Sequence, residues 1–146
     1  MSHTLSADPR LVRVLSLAAK LPETSSIVAH KHATLRVKTK VFAYFLADHD
    51  NDGITSLCVR AANGENVDRA AREPGRFYLP PYIGKRGWFG LRLDRGSIDW
   101  REVANLLELS YCLAAPKKLV AQLLATPLQQ KPLKSSSSKP ARRKRP

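Results

Sequence analysis

The sequence has 146 residues, of which 43% are hydrophobic and 25% charged, and its 25 Lys and Arg against 12 Asp and Glu give a formal net charge of +13. This size and apolar content suit one folded domain and argue against a second domain of ordinary size. No segment approaches the roughly 18 consecutive apolar residues of a membrane-spanning helix, and the first residues lack a secretory signal pattern, so we expect a cytoplasmic protein.

The first third of the chain predicts one helix followed by a hairpin. Asp8 before Pro9 is a typical helix start, and apolar residues then recur at helical spacing until a Leu-Pro pair ends the helix. After a polar passage, residues 32–46 alternate and then become almost continuously apolar, which predicts a half-exposed strand followed by a buried one. Arg36 and Lys38 would project from the outward side of the first strand.

Residues 48–53 connect this hairpin to a third predicted strand at 54–59. Their alternating acidic positions and a glycine in sixth place resemble the first half of a calcium loop, but the twelfth position is Val59 instead of a bidentate Glu. We therefore predict a solvated loop. His30 and His32 have no third ligand near them in sequence, so no metal site and no cofactor are expected.

Residues 63–73 predict a short helix. Asn63 is the expected N-cap, and Val67, Ala70 and Ala71 are the residues expected to turn inward. A Pro-Gly pair ends the helix.

Residues 74–93 form the most distinctive stretch and contain five of the ten aromatic residues. Two prolines bar its first half from a central strand, which leaves only a short strand candidate there. Glycines bracket Lys85 and Arg86 in a turn. Together these features predict a basic loop framed by Tyr82 and Trp88.

From residue 88 onward the side chains alternate, so Phe89 and Leu91 share one face of a strand and Trp88 and Arg92 share the other. The first face is the expected core. We therefore expect Trp88 and Arg92 to be exposed on the opposite face, where a flat aromatic ring beside cations suits a polyanion or a base. The alternative is that Trp88 caps a small core.

Two helices close the folded part. Asp99 and Glu102 form an acidic capping box before a long helix, and a proline begins a last helix over residues 116–125. The inward face of the long helix consists of Trp100, Val103, Leu107, Tyr111 and Ala114. Cys58 and Cys112 lie far apart in apolar surroundings, so we expect small buried residues rather than a disulfide.

The composition changes most at the C-terminus. Residues 127–146 contain seven Lys or Arg and no acidic residue, which leaves +6 on residues 1–126. The terminal segment has too few apolar groups to offset its ordering entropy, so we expect one folded domain at 1–126 and a disordered Lys/Arg/Ser/Pro-rich tail at 127–146. A basic domain with a basic tail favours a phosphate-rich partner, although a charged surface that only aids solubility is the competing explanation.

Several ordered motifs together resemble those of one family. They are Leu-Arg-Val-x-x-Lys-Val-Phe-Ala at 35–43, Ser-Leu-Cys-Val at 56–59, Pro-Gly-x-Phe at 74–77, Pro-Tyr-Ile-Gly-Lys-Arg-Gly-Trp at 81–88, Ile-Asp-Trp at 98–100 and Ser-Tyr-x-Leu at 110–113. Through these residues the sequence from about His32 to Leu119 resembles the MmcQ/YjbR-like family of small bacterial proteins.

This resemblance implies an α+β fold of order α-β-β-β-α-β-β-α, in agreement with the elements above, and the last helix adds one more. We therefore expect a two-layer α/β sandwich with an antiparallel sheet of about five strands. The resemblance also implies a DNA-binding role with no defined reaction. Lys38 and Thr39 stand where family members usually have a glycine turn, and the basic tail lies outside the shared region.

Motifs typical of enzymes are missing from the sequence. It contains no Gly-rich phosphate loop, no Gly-x-Ser-x-Gly and no Cys-x-x-Cys. We therefore expect a binding protein and not an enzyme.

The leading hypothesis is a monomeric, largely sequence-nonspecific DNA-binding protein, with double-stranded DNA as its partner and no membrane contact. Cations would contact phosphates while Tyr82 or Trp88 wedges or stacks. The alternative is a protein-interaction or small-ligand module that uses the loop at 82–88, with the tail acting only electrostatically. The residues assigned to DNA are Arg36, Lys38, Lys40, Tyr82, Lys85, Arg86, Trp88, Arg92, Lys139, Arg142, Arg143, Lys144 and Arg145.

Overall fold

The structure, a computed structural model, describes residues 5–48 and 52–125. Within these ranges the chain forms one six-stranded antiparallel sheet and four α-helices, so the predicted α+β class is confirmed, with one strand more than the expected five or so. The strands are β1 (Thr24–Val28), β2 (His32–Val37), β3 (Lys40–Ala47), β4 (Thr55–Arg60), β5 (Phe77–Tyr78) and β6 (Trp88–Arg92). The helices are α1 (Pro9–Ala18), α2 (Glu65–Arg72), α3 (Trp100–Ala114) and α4 (Lys117–Ala125), with 3-10 turns at Leu5–Ala7 and Ile83–Arg86.

The strands lie in the order β1-β2-β3-β4-β6-β5, and every neighbouring pair is antiparallel. β1 to β4 follow one another directly, because short connections place antiparallel strands side by side. The chain then passes through α2, forms the edge strand β5 and returns as β6 between β5 and β4. The two-residue length of β5 agrees with the prolines that follow it, since Pro80 and Pro81 cannot donate to a strand ladder.

β1 is the strand that the sequence did not predict. It lies at the edge of the sheet, and four of its five residues are exposed. Without a buried face it lacks the alternation of apolar and polar residues that identifies a strand. Its order comes instead from pairing with β2, which runs from Thr24 opposite Val37 to Val28 opposite Ala33.

Helices α1, α3 and α4 bury their apolar sides in one core on a single face of the sheet. α1 begins as predicted, with Asp8 Oδ1 accepting a hydrogen bond from the Arg10 N–H at 2.8 Å. α3 begins with the Asp99 carboxylate accepting from the N–H groups of Arg101 and Glu102. The predicted inward face of α3 is confirmed: Val103, Leu107, Tyr111 and Ala114 are buried, and Trp100 is partly buried.

A β-bulge in β3 brings an additional aromatic residue into this core. The β2–β3 register shifts after Leu35, which leaves Phe42 without a residue opposite it. Phe42 packs against Tyr111 with ring centroids 5.7 Å apart. The buried Ser110 hydroxyl donates to the Phe42 carbonyl at 2.6 Å and accepts from the Arg60 N–H at 2.9 Å, so α3 is hydrogen-bonded to both central strands.

The predicted orientation of α2 is wrong. Its N-cap is Gly64 rather than Asn63, Val67 is 53% exposed, and the buried residue is Asn66. The helix contacts the β5–β6 edge through the Asn66 amide and through the Arg69 guanidinium, which stacks on two phenylalanine rings. The hydrogen bonds of Asn66 and the stacking of Arg69 therefore determine which side of α2 faces the sheet. Burial of the few small apolar residues of this eight-residue helix contributes less.

The turn between β2 and β3 is tight although it contains no glycine. The two strands pair up to Val37 opposite Lys40. Lys38 completes the turn with a φ of +57°, in the left-handed region that favours glycine.

Replacing Lys38 with glycine should stabilise the fold by about 0.5–1 kcal/mol, because the left-handed conformation costs a non-glycine residue about 1–2 kcal/mol and the freedom of glycine in the unfolded chain cancels part of that gain. The lost ion pair with Glu23 is about half exposed and contributes little. Thermal unfolding should show a Tm higher by a few degrees. Lys40→Gly, at a strand position with ordinary φ, should lower the Tm, and a lower Tm for Lys38→Gly would contradict the assigned strain.

Candidate functional site

One end of the sheet brings together cations from separate connections. β4 ends and β6 begins there, with Arg60 opposite Trp88. Their antiparallel neighbour β3 begins at the same end, so the β2–β3 turn lies beside them. The loop before β6 adjoins the end of β4 through a 2.9 Å hydrogen bond from the Ala61 N–H to the Gly87 carbonyl. We call this region the basic end; its cations are Arg36, Lys38, Lys40, Arg60, Lys85 and Arg86.

All six cations of the basic end are exposed. Among the residues that the structure describes, no ion pair involves Arg36, Lys40, Arg60, Lys85 or Arg86. Lys38 Nζ lies 3.3 Å from Glu23 Oε1, but both side chains are about half exposed, so the pair is weak and can exchange for another anion. Neighbouring strands are about 4.8 Å apart, so the group from β2 to β6 extends over roughly 15 Å.

Arg92 does not belong to the basic end, contrary to the prediction. It lies opposite Ser56 at the far end of β6, about 14 Å from Trp88, because a strand rises about 3.4 Å per residue. Its guanidinium donates two hydrogen bonds to the Asp94 carboxylate, at 2.9 and 3.0 Å. This contact lowers the pKa of Asp94 and raises the pKa of Arg92. The predicted sharing of one face by Trp88 and Arg92 is correct, but the two lie at opposite ends of the strand.

The predicted exposure of Trp88 is also wrong. The indole is 7% exposed and forms a second core with Leu46 and Cys58, on the sheet face opposite the helices. The Tyr44 ring lies beside it with centroids 5.2 Å apart, and Ile83 packs against the cluster. The alternative that Trp88 caps a small core is therefore correct. Strand alternation predicts the face of a side chain, but not whether a loop covers that face.

The loop that covers this second core holds Tyr82 outward, with 85% of the residue exposed. The backbone at Tyr82 has φ +68° and ψ −60°, and the Ile83 N–H donates to the Pro81 carbonyl at 2.7 Å. This is a γ-turn of the rare, strained type. Such a conformation costs about 1–3 kcal/mol and persists only where surrounding contacts enforce it. The Gly84 N–H donates to the Pro80 carbonyl at 2.9 Å and closes the next turn.

A buried amide from α2 holds the segment that directly follows this γ-turn. Asn66 is 3% exposed, and its Nδ2 donates to the carbonyls of Gly84 at 2.9 Å and Trp88 at 3.0 Å. The two acceptors flank Lys85 and Arg86, so one side chain fixes both ends of the basic loop. Asn66 was missed because a single Asn within a predicted helix looks like a solvated position, and no local pattern distinguishes it.

Gly90, in the middle of β6, leaves room for a tyrosine ring. A Cβ at this position would overlap a ring carbon of Tyr78. The Tyr78 hydroxyl lies 2.8 Å from Ser56 Oγ, and burial raises the pKa of Tyr78. Cys58 is buried beside them, as predicted, whereas Cys112 is only partly buried. This part of the sheet face therefore presents neutral, packed groups.

Residues 5–48 and 52–125 contain no group of three or more His, Cys, Asp and Glu that could hold a metal ion. None of the helices in the same ranges is long and apolar enough to cross a bilayer. Residues 49–51 of the predicted solvated loop lie outside the described ranges. So do the tail residues assigned to DNA, which are Lys139, Arg142, Arg143, Lys144 and Arg145.

Comparisons with known proteins agree with this architecture. A family model described as YjbR matches residues 19–113. The crystal structure of the Deinococcus radiodurans protein DR2400, described by the domain DUF419, is similar with a TM-score of 0.61. The similarity covers 83% of this chain and 91% of that one at 18% sequence identity, which shows a common fold. No curated protein matches the sequence.

Replacing Asn66 with alanine should destabilise the protein by roughly 2–4 kcal/mol, because two carbonyls lose a buried donor. The basic loop should open more often, so trypsin should cleave after Lys85 or Arg86 under conditions that leave these bonds intact in the wild type. Asn63→Ala is the matched control, since this exposed residue precedes the helix and should change neither property. Unaltered unfolding and unaltered cleavage of Asn66→Ala would contradict the assigned role.

Proposed function

Since the chain belongs to the YjbR family, whose model covers residues 19–113, we propose that it is a DNA-binding protein that contacts phosphates largely without regard to base sequence. Double-stranded DNA is the proposed partner, and the proposed role is binding without a catalysed reaction. Within the folded part, the contacts would come from the basic end.

The observation that carries this proposal is the convergence of six cations at one end of the sheet. Duplex DNA has one negative charge per about 1.7 Å of its axis, so a surface of roughly 15 Å faces several phosphates at once. Each phosphate neutralised by a cation releases condensed counterions, which favours binding. Arg10, Arg76 and Arg92 would gain less, because acidic neighbours already compensate their charge.

Little base specificity is expected from this arrangement. Phosphate contacts orient a protein on DNA, whereas sequence is read by groups that reach base edges from within a groove. The cations of the basic end lie on turns and strand ends, on long side chains that suit phosphates. The β2–β3 turn and the loop at 80–87 would lie side by side along one phosphate backbone.

The tail is the second element of the proposal. Residues 127–146 add seven cations and no acidic residue, Lys139 and Arg142 among them. Attraction of this kind depends on charge and not on a fixed geometry, so it adds affinity without sequence preference.

The competing function, a protein-interaction or small-ligand module centred on residues 82–88, has less support. Trp88 cannot enclose a ligand, because its indole is 7% exposed and already packed. Tyr82 alone would have to provide the aromatic contact. A partner whose binding is unaffected by the charges of Lys85 and Arg86 would favour this alternative.

The double variant Lys85→Gln/Arg86→Gln should weaken duplex binding and reduce the slope of log K against log salt by about 1.8, because each lost phosphate contact removes about 0.9. Arg92→Gln is the control for position: it removes a cation at the opposite end of the sheet, from a pair with Asp94, so the slope should not change. Fluorescence anisotropy with a labelled duplex from about 50 to 200 mM salt measures both. Circular dichroism verifies that each variant is folded.

Two results would contradict the proposal. The first is a wild-type affinity that does not change over this salt range. The second is an equal loss of slope in the double variant and in Arg92→Gln, which would mean that the position of the cations is irrelevant.

Removing residues 127–146 should weaken binding to every duplex and reduce the salt slope by up to about 6, if all seven cations contact phosphates. The same anisotropy titration on the truncated chain measures this. Residual salt-dependent binding is expected from the basic end. Complete loss of binding would show that the folded part makes no contribution.

A further inference from the structure

We infer that the preferred DNA of this protein contains an unstacked base, and that Tyr82 stacks on it while Lys85 and Arg86 contact the adjacent phosphates. This inference rests on the proposed function and specifies the form of DNA. It follows from the position, the rigidity and the exposure of one side chain.

Tyr82 is unlike the other aromatic residues that the structure describes. It is 85% exposed, whereas Trp88, Tyr111 and Phe77 are buried and Tyr44 is only partly exposed. The other exposed large hydrophobic residues are aliphatic and are distributed over different elements. An exposed phenol next to two exposed cations is the combination by which single-stranded nucleic acids are bound, through base stacking and phosphate contacts together.

The phenol is also held by a rigid backbone. The γ-turn hydrogen bond between Ile83 N–H and Pro81 O fixes φ and ψ at Tyr82, and Asn66 fixes the turn that follows. Ile83 packs against the second core and connects the loop to the sheet. A ring presented in this way loses little conformational entropy on binding, since only its two side-chain torsions remain to be ordered. Strained backbone at an exposed aromatic residue is typical of a ligand contact.

The energetics select unstacked DNA over an intact duplex. Stacking of a base on an aromatic side chain changes affinity by about 5- to 150-fold on alanine substitution. In an intact duplex both faces of each base are occupied, and separating a base step costs a comparable amount. Insertion of Tyr82 into a perfect duplex would therefore gain little, whereas the full gain is available where a base face is already free.

The spacing along the loop fits this arrangement. Lys85 and Arg86 follow Tyr82 by three and four residues; they lie in the 3-10 turn Ile83–Arg86, which begins directly after Tyr82 and rises about 2 Å per residue. Their backbone positions are thus roughly 6–8 Å from that of Tyr82. Along one strand of the duplex beside the unstacked base, this corresponds to about two phosphates, at about 3.4 Å of axis per charge.

The test compares the full chain on two DNAs of identical sequence, an intact duplex and a duplex with a short single-stranded gap. The gap removes phosphates, so electrostatics alone predicts equal or weaker binding. The wild type should bind the gapped DNA about tenfold more tightly. Tyr82→Ala should bind both DNAs with the affinity that the wild type has for the intact duplex. Tyr82→Phe should keep the preference for gapped DNA because it keeps the ring.

Two controls separate stacking from other effects. Lys85→Gln/Arg86→Gln should weaken binding to both DNAs and leave their ratio unchanged. Leu109→Ala removes another exposed apolar side chain, on α3, and should change neither affinity nor ratio. A 2-aminopurine base beside the gap provides an independent signal: its fluorescence should be quenched at saturation by the wild type and by Tyr82→Phe, but not by Tyr82→Ala.

Equal wild-type affinity for the two DNAs overturns this inference and leaves the proposed function standing. A preference for gapped DNA that survives in Tyr82→Ala overturns it as well. Failure of the wild type to bind either DNA with salt dependence overturns the proposed function, and this inference with it. Because Tyr82 is exposed, Tyr82→Ala should have the same Tm as the wild type. If its Tm is lower, Tyr82→Leu takes its place: it keeps an apolar side chain without a ring and should also lose the preference for gapped DNA.

Discussion

The helices α1, α3 and α4 bury their apolar sides against one face of the sheet. The opposite face must therefore be covered by other parts of the chain. The opposite face also contains large apolar side chains, of which Trp88 and Leu46 are buried to more than nine-tenths. Leaving such side chains in water would cost about 1.5–3 kcal/mol each. No α-helix of the described ranges contributes to this cluster; instead the loop between β5 and β6 covers it through Ile83, and the Tyr78 ring covers Gly90.

The loop that covers the second core is held by hydrogen bonds at both ends, and the same bonds fix the position of Tyr82. A loop that must exclude water cannot move freely, so both of its ends are fixed by the buried Asn66 amide. The chain reverses over the core within a few residues, which places Tyr82 in a strained turn at the outermost point. Stability of the second core and presentation of the phenol and the two loop cations therefore depend on the same hydrogen bonds.

The distribution of ion pairs, more than the number of cations, distinguishes the two ends of the sheet. At the end away from the basic end, Arg92 is bonded to Asp94, and Lys31 lies 3.6 Å from Asp48. At the basic end, Glu23 compensates Lys38 weakly, and the remaining five cations form no ion pair with described residues. Exposed charge without a fixed partner attracts a polyanion more strongly than compensated charge does, so the two ends differ in their electrostatics although each has basic residues.

The sequence by itself determined the class of the fold, the caps and inward faces of α1 and α3, the alternation in β6 and the basic loop around Lys85 and Arg86. These features depend on residues that are neighbours in the chain, through hydrogen bonds and periodicity that span a few positions. The tertiary structure alone decided that β1 joins the sheet, that Asn66 rather than Val67 is buried, that Trp88 is covered and that Arg92 lies apart from the other cations. All four features depend on contacts between segments that are distant in the sequence. Such contacts produce no periodic pattern within either segment, so sequence periodicity cannot predict them.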